Sequence, residues 1–308
     1  LNENEVWAYY LGEEGASPRT LFYSSSDGGK TWQDLSEGVN AQLQDADLLL
    51  DGRVYINRLN AEQGWVLLKR ATGVNFSAGL LLKTEDGGLS WHKLTAPAGE
   101  DFIFADQNNA FMLKGPQMDS LYASSDAGLT WAELEDLPET DGADTYRVSM
   151  PIFQSDGYGV FPLFAYQGDM LLKTSIMQTR DYGKTWSLGA EDPDQIEQSP
   201  GSEPYFQLLP DGNLSRWSRI PRGGKAIDSV SSEGQRTQIT KLAAFGTEYA
   251  WGSFRGGLCE AQAALGKAQL ACGQDQVLGF TADGGKNWQP LPLPLNVTKS
   301  SKSLYAPA

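Results

Sequence analysis

Histidine occurs once in these 308 residues, at His92, and cysteine twice, at Cys259 and Cys272. One His excludes metal sites and proton relays built on several imidazoles. It leaves Ser-His-Asp or Cys-His catalysis dependent on His92 alone, which follows Trp91 on a predicted outermost strand and reads as a surface residue. Two Cys and one His do not make a conventional zinc site. Basic residues are also scarce: 24 Lys and Arg stand against 39 Asp and Glu, for a net charge of −15. That balance speaks against nucleic acid, whose binding needs clustered Lys and Arg, and against anionic lipid surfaces. There is no run of 18 apolar residues, so no membrane-spanning helix is expected.

What the chain does contain is a turn motif, five times clean and once worn. The clean copies are SSDGGKTW (25–32), TEDGGLSW (84–91), SSDAGLTW (124–131), TRDYGKTW (179–186) and TADGGKNW (281–288); the worn one is SSEGQRTQ (231–238). Ser or Thr stands two residues before each acid, and Trp five residues after each clean Asp. The acids Asp27, Asp86, Asp126, Asp181, Glu233 and Asp283 are separated by 59, 40, 55, 52 and 50 residues. From Asp283 through the chain end and on to Asp27 is 52 more, so six units fill the chain. A fixed repeat of this length points to a ring of sequential modules.

Each unit reads as a four-stranded antiparallel sheet. Apolar-rich segments precede the acids (TLFYSS, GLLLKT, SLYASS, VLGFTA), and short segments after the Trp end at Leu35, Leu94, Leu134, Leu188 and Leu291. Asp-Gly between them is hairpin chemistry: Gly supplies positive φ, and the Asp carboxylate and the Ser or Thr hydroxyl accept turn amides. A second, fainter repeat runs upstream, with Trp7, Trp65, Phe111, Tyr158, Trp217 and Trp251 expected at equivalent positions of the second strands. Two registered repeats in six units predict an all-β, six-bladed β-propeller as one domain over 1–308. The first unit has no strand before EVWAYYL, so 296–308 is expected to supply one and close the ring, joining the two ends in one blade.

The pattern S/T-x-D-x-G-x-T-W resembles the Asp-box, or BNR, repeat of sialidases, related glycosidases, sortilin-type receptors and many secreted bacterial propellers. The upstream strand is similar to that of photosystem II assembly propellers and their bacterial relatives. The resemblance covers essentially the whole chain. It implies boxes between third and fourth strands at the outer periphery, with ligand sites at the central axis on the other face. Asp27, Trp32, Asp86, Trp91, Asp126, Trp131, Asp181, Trp186, Asp283 and Trp288 are then structural. A true sialidase would carry three Arg on the substrate carboxylate and a Phe/Tyr-Arg-Ile-Pro motif before the first box. No such motif precedes Asp27; Ser218-Arg219-Ile220-Pro221 lacks the aromatic and lies in the fifth unit. Fold does not fix function.

No pattern nominates a catalytic residue, a cofactor or a metal. Asp45, Asp47, Asp51 and Gly52 superficially resemble a cation loop, but the third acid is at the wrong offset, and Asp51-Gly52 reads as a hairpin turn. The candidate binding surface is acidic. Glu133, Glu135, Asp136, Glu139, Asp141 and Asp144 precede the fourth unit, and Glu191, Asp192 and Asp194 follow it. Such a patch would steer a basic protein partner. Arg216, Arg219 and Arg222 could bind an anion or neutralise neighbouring acids. Cys259 and Cys272 are expected to form a disulfide contributing about 3 kcal/mol. With a chain that starts at Leu1, this suggests processing and an extracytoplasmic setting: periplasmic, secreted or lipid-anchored. The expectation is a monomeric, non-catalytic protein-binding or assembly module, of which an inhibitor or immunity protein is one concrete form. The rival classes are a glycoside hydrolase-like enzyme and a carbohydrate-binding propeller, each using the central pocket.

Overall fold

The computed structural model describes residues 6–14, 17–27, 31–43, 50–73, 77–115, 117–191, 205–209, 211–217, 238–245, 248–255, 276–285 and 289–290. The chain divides into two compact units, Leu1–Glu197 and Gln198–Ala308. Among the described residues the fold is all-β apart from one six-residue helix, and every strand pairing is antiparallel.

The strands group into sheets in chain order. The first sheet holds β1 (Val6–Glu14), β2 (Ser17–Ser25) and β3 (Gln33–Asp34). The second holds β4 (Leu50–Arg58), β5 (Gly64–Arg70), β6 (Gly79–Thr84) and β7 (His92–Leu94). The third holds β8 (Phe102–Phe104), β9 (Ala110–Leu113), β10 (Leu121–Ser124) and β11 (Ala132–Glu133). The fourth has five: β12 (Thr145–Val148), β13 (Ile152–Phe153), β14 (Gly159–Gln167), β15 (Met170–Thr179) and β16 (Ser187–Glu191). In the second unit, β17 (Tyr205–Leu208) pairs with β18 (Leu214–Trp217). The last sheet holds β19 (Gln238–Phe245), β20 (Tyr249–Arg255), β21 (Gln276–Thr281) and β22 (Gln289–Pro290).

The expected third and fourth strands are therefore present around each clean box. The register also identifies equivalent positions. Trp7, Trp65, Phe111 and Trp251 each face the residue just before the box Ser or Thr: Ser24, Lys83, Ala123 and Phe280. In the fourth sheet that place belongs to Val160, opposite Gln178. The expectation for Tyr158 is thus corrected: it lies before β14, with the Arg180 guanidinium 5.0 Å from its ring centroid. A slip of two residues preserves the face, so periodicity alone does not separate the two positions.

The first strand of the fourth sheet is broken into β12 and β13, which pair with successive halves of β14. Opposite the break stands Pro162, which has no amide to donate. Its carbonyl still accepts the Ser149 amide at 3.2 Å. A further correction concerns Asp51 and Gly52, which lie inside β4 rather than in a hairpin turn.

The first sheet ends at β1, and no strand precedes it among the described residues. The proposed donor, 296–308, lies outside them, as does most of the worn box. Gln238, at that box's Trp position, is the first residue of β19. Along β2 the outer edge beyond β3 is covered by α1 (Ser36–Ala41). The Asn40 carboxamide oxygen accepts the Thr20 amide at 3.0 Å, its nitrogen donates to the Thr20 carbonyl at 2.8 Å, and Ser36 Oγ accepts the Phe22 amide at 2.9 Å. Two side chains thus pair the strand edge where a fourth strand would otherwise continue.

Among the described residues, two buried clusters lie along the sheets of the first unit. Trp65, Leu67, Leu81, Phe102, Phe104 and Met112 belong to one, with Trp65 stacked on Phe104 at 3.7 Å between ring centroids. Leu113, Leu121, Val148, Phe161, Leu163 and Met177 form the other.

Candidate functional site

The box turns repeat one hydrogen-bond pattern. In the second, Thr84 Oγ1 donates to Asp86 Oδ1 at 2.8 Å and accepts the Gly88 amide at 2.9 Å. Asp86 Oδ1 accepts the Ser90 amide at 2.9 Å, and Oδ2 accepts the Ser90 hydroxyl at 2.6 Å. Asp126 and Asp181 bind their own turns in the same way, through Thr130 and Thr185. Asp27 takes the Thr31 amide and hydroxyl, and Asp283 the Thr281 hydroxyl. The two residues after the acid have positive φ in each box where they are described: Gly87 and Gly88, Ala127 and Gly128, Tyr182 and Gly183, Gly284 and Gly285.

This network acts on the carboxylates themselves. The Ser90 and Thr130 hydroxyls and amides hold Asp86 and Asp126 down at about 2. At Asp181 burial opposes ionisation, yet the Thr185 amide and hydroxyl and the Thr179 hydroxyl outweigh it and leave the group at about 2. Such a carboxylate is a strong anion committed to its own turn. It is ill-suited to proton transfer near neutral pH, where a catalytic group titrates close to the working pH.

The box tryptophans reach back to the sheet before. Trp91 meets Trp7 and Phe22 of the first sheet at 5.9 and 5.4 Å between centroids. Trp186 meets Phe111 of the third at 5.7 Å. Trp131 donates its indole N–H to the Thr95 carbonyl, just past β7, at 2.9 Å. Trp32 is 44 % exposed. Trp288 lies outside the described residues.

The acidic stretch at 133–144 has an internal order that composition does not reveal. Leu134 and Leu137 are half-buried and pack on the Leu113–Phe161 cluster. The Leu134 amide bonds the Leu121 carbonyl at 2.7 Å, and the Thr140 amide the Tyr146 hydroxyl at 2.8 Å. Between and beside these pins Glu133, Glu135, Asp136, Glu139 and Asp141 are all exposed. Asp136 holds φ 62, a left-handed conformation that Asp tolerates better than most residues. Glu133 is paired with Lys114 at 2.7 Å. Asp144 accepts the Gly168 amide at the tip of the β14–β15 hairpin, at 3.0 Å. No ion pair among the described residues reaches Glu135, Asp136, Glu139 or Asp141.

Asp144 precedes β12 at one edge of the fourth sheet, and Glu191 ends β16 at the other. Two strands lie between those edges, which corresponds to roughly 14 Å of sheet. Asp192, Asp194, Arg219, Arg222, Cys259 and Cys272 lie outside the described residues. Arg216 is half-buried on β18 of the second unit. His92 is exposed on β7, as expected. Among the described residues no group of three or more His, Cys, Asp or Glu is placed to hold a metal ion. No helix among them is long and apolar enough to cross a membrane.

No family model and no curated protein matches this chain. Among solved structures it is similar to YCF48 bound to a D1 peptide, at 16 % identity over 97 % of this chain and 82 % of that one, with a TM-score of 0.44. It is similar to the Penicillium chrysogenum α-L-arabinanase complexed with arabinobiose at 16 % identity, over 82 % of this chain and 85 % of the enzyme, with a TM-score of 0.46. The six-bladed, fucose-recognising Aleuria aurantia lectin matches at 9 % identity over 70 % of each chain, with a TM-score of 0.37. These neighbours are propellers that include an enzyme, a lectin and a peptide-bound protein, and at these scores they assign no activity.

Proposed function

We propose that the sheets are the blades of one closed, six-bladed ring of Asp-box units, and that the protein is a non-catalytic binding or assembly module outside the cytoplasm. The sequential sheets, with a strand pair around each clean box, support the ring. Trp91 and Trp186 seat on the preceding sheet, as neighbouring blades of such a ring would pack.

The observation that carries the binding role is the pinned acidic loop. Four carboxylates with no ion-pair partner among the described residues stand exposed on a segment that Leu134, Leu137 and the Tyr146 hydroxyl hold in place. A charged loop already ordered loses little conformational entropy on binding and attracts a basic partner from a distance. The partner is a basic protein surface; an inhibitor or immunity protein is one form this takes. The extracytoplasmic setting rests on the Cys259–Cys272 pair, and a mass measurement before and after reduction tests it.

The test of function is affinity capture from the host's envelope fraction at low and high salt. One bait is the natural chain; the other carries Glu135→Gln, Asp136→Asn, Glu139→Gln and Asp141→Asn. A basic protein held at low salt by the natural chain alone is the expected result. Equal recovery by both baits contradicts the reading. Turnover of a glycan by the purified protein moves it to the glycosidase class.

A further inference from the structure

A buried charged cluster joins the second and third sheets. Lys69, near the end of β5, and Glu100, two residues before β8, are 5 % and 6 % exposed and form an ion pair. Ser77 Oγ donates to the same Glu100 oxygen at 2.7 Å and accepts the Gly99 amide at 3.0 Å. The two segments touch backbone to backbone, because a Cβ at Gly99 would lie 2.0 Å from the Ala78 carbonyl oxygen.

Stability is a poor reason for this arrangement. Desolvating two charges offsets most of their attraction, and an apolar pair of similar volume commonly does as well or better. A different need is visible next to it. The Asp101 carbonyl accepts the Leu113 amide at 3.0 Å, and from there β8 runs Phe102-Ile103-Phe104 against Met112, Phe111 and Ala110. Phe102 and Phe104 point into the buried cluster that contains Trp65; Ile103 points the other way and is half-buried. Both faces of this three-residue strand are apolar, so alternation hardly distinguishes the native register from a slip of one. Such a slip would exchange the faces and remove the Trp65–Phe104 stack.

We infer that Lys69, Ser77 and Glu100 form a charge clamp that fixes the register of β8, and that it acts on conformational uniqueness rather than on stability. Within the connection 95–101 it is Glu100 that meets Lys69 and Ser77 together, two residues upstream of the ambiguous strand.

The test is residue-resolved hydrogen exchange on the full chain. In Lys69→Met with Glu100→Leu, the melting temperature should stay close to the natural value. The Phe104 and Leu113 amides should exchange about tenfold faster while those of β5 are unchanged, with a second set of resonances for 101–105. Glu100→Gln preserves the shape and removes the charge, and should speed the same two amides selectively. Natural protection at Phe104 and Leu113 in both variants would overturn the inference. So would a collapse of overall stability in the double variant with those amides unaffected in Glu100→Gln.

Discussion

The first and second boxes share a motif and a turn, yet their tryptophans meet different fates. Thr31 binds Asp27 Oδ2 at 2.7 Å, much as Ser90 binds Asp86 Oδ2 at 2.6 Å. Trp91 is nevertheless 3 % exposed and Trp32 44 %. The difference is the neighbour: Trp91 enters between Trp7 and Phe22 of the preceding sheet, whereas among the described residues of its own compact unit the first box has no preceding sheet. The motif therefore specifies a turn locally, while burial of its Trp is a property of sheet order. Repeats that each contact only their neighbours behave in this way.

The largest expected effect is at the seated residue. Trp91→Ala should cost about 3–5 kcal/mol in chemical denaturation. Trp32→Ala then sharpens the comparison. In the proposed ring it also loses more than about 2 kcal/mol, whereas a loss under about 1 kcal/mol would mean that the first box stays unseated. Next come the glycines. A Cβ at Gly183, with φ +82, would lie 2.3 Å from the Phe111 ring, and one at Gly168, with φ +56, would meet nothing within 4 Å. Gly183→Ala should therefore lose about 2–3 kcal/mol and Gly168→Ala only about 1 kcal/mol, the strain of the left-handed backbone. Equal losses would show that strain, not contact with the previous sheet, dominates at the boxes.

The smallest effect is on acid stability. Asp86, Asp126 and Asp181 sit at about 2, below their usual 3.8. A carboxylate lowered by folding contributes stability that is fully present above about 4 and is lost as the pH falls towards 2. Asp86→Asn should therefore lower the urea midpoint at pH 7 and flatten its decline between pH 4 and pH 2. A parallel decline in variant and natural chain would remove Asp86 from the acid response.

Much of this was visible in the residues themselves. Asp-x-Gly followed by Trp marked the boxes because that turn needs a carboxylate, positive φ and an anchor together. The strands on either side followed from their apolar content. Tyr158 misled because aromatic character was taken as the sign of the second strand, when Val160 fills that register place. Asp51-Gly52 misled because turn chemistry also occurs within strands, here beside an irregularity between Leu50 and Val54. The helix α1 was missed although Leu35, Val39 and Leu43 recur at helical spacing and are all buried. The pins beneath the acidic loop had a signal too, in the leucines that interrupt AELEDLPE, but their anchorage depends on the long-range contacts of Leu113 and Phe161. The Lys69–Glu100 pair had none, since its partners are 31 residues apart.

The most direct test of the binding role is the association rate of the captured partner as a function of salt. With Glu135→Gln, Asp136→Asn, Glu139→Gln and Asp141→Asn in place, association should slow by about tenfold or more at low salt and lose most of its salt dependence, with dissociation little changed. An association rate and salt dependence identical to those of the natural chain would contradict a binding surface built on the 133–144 loop.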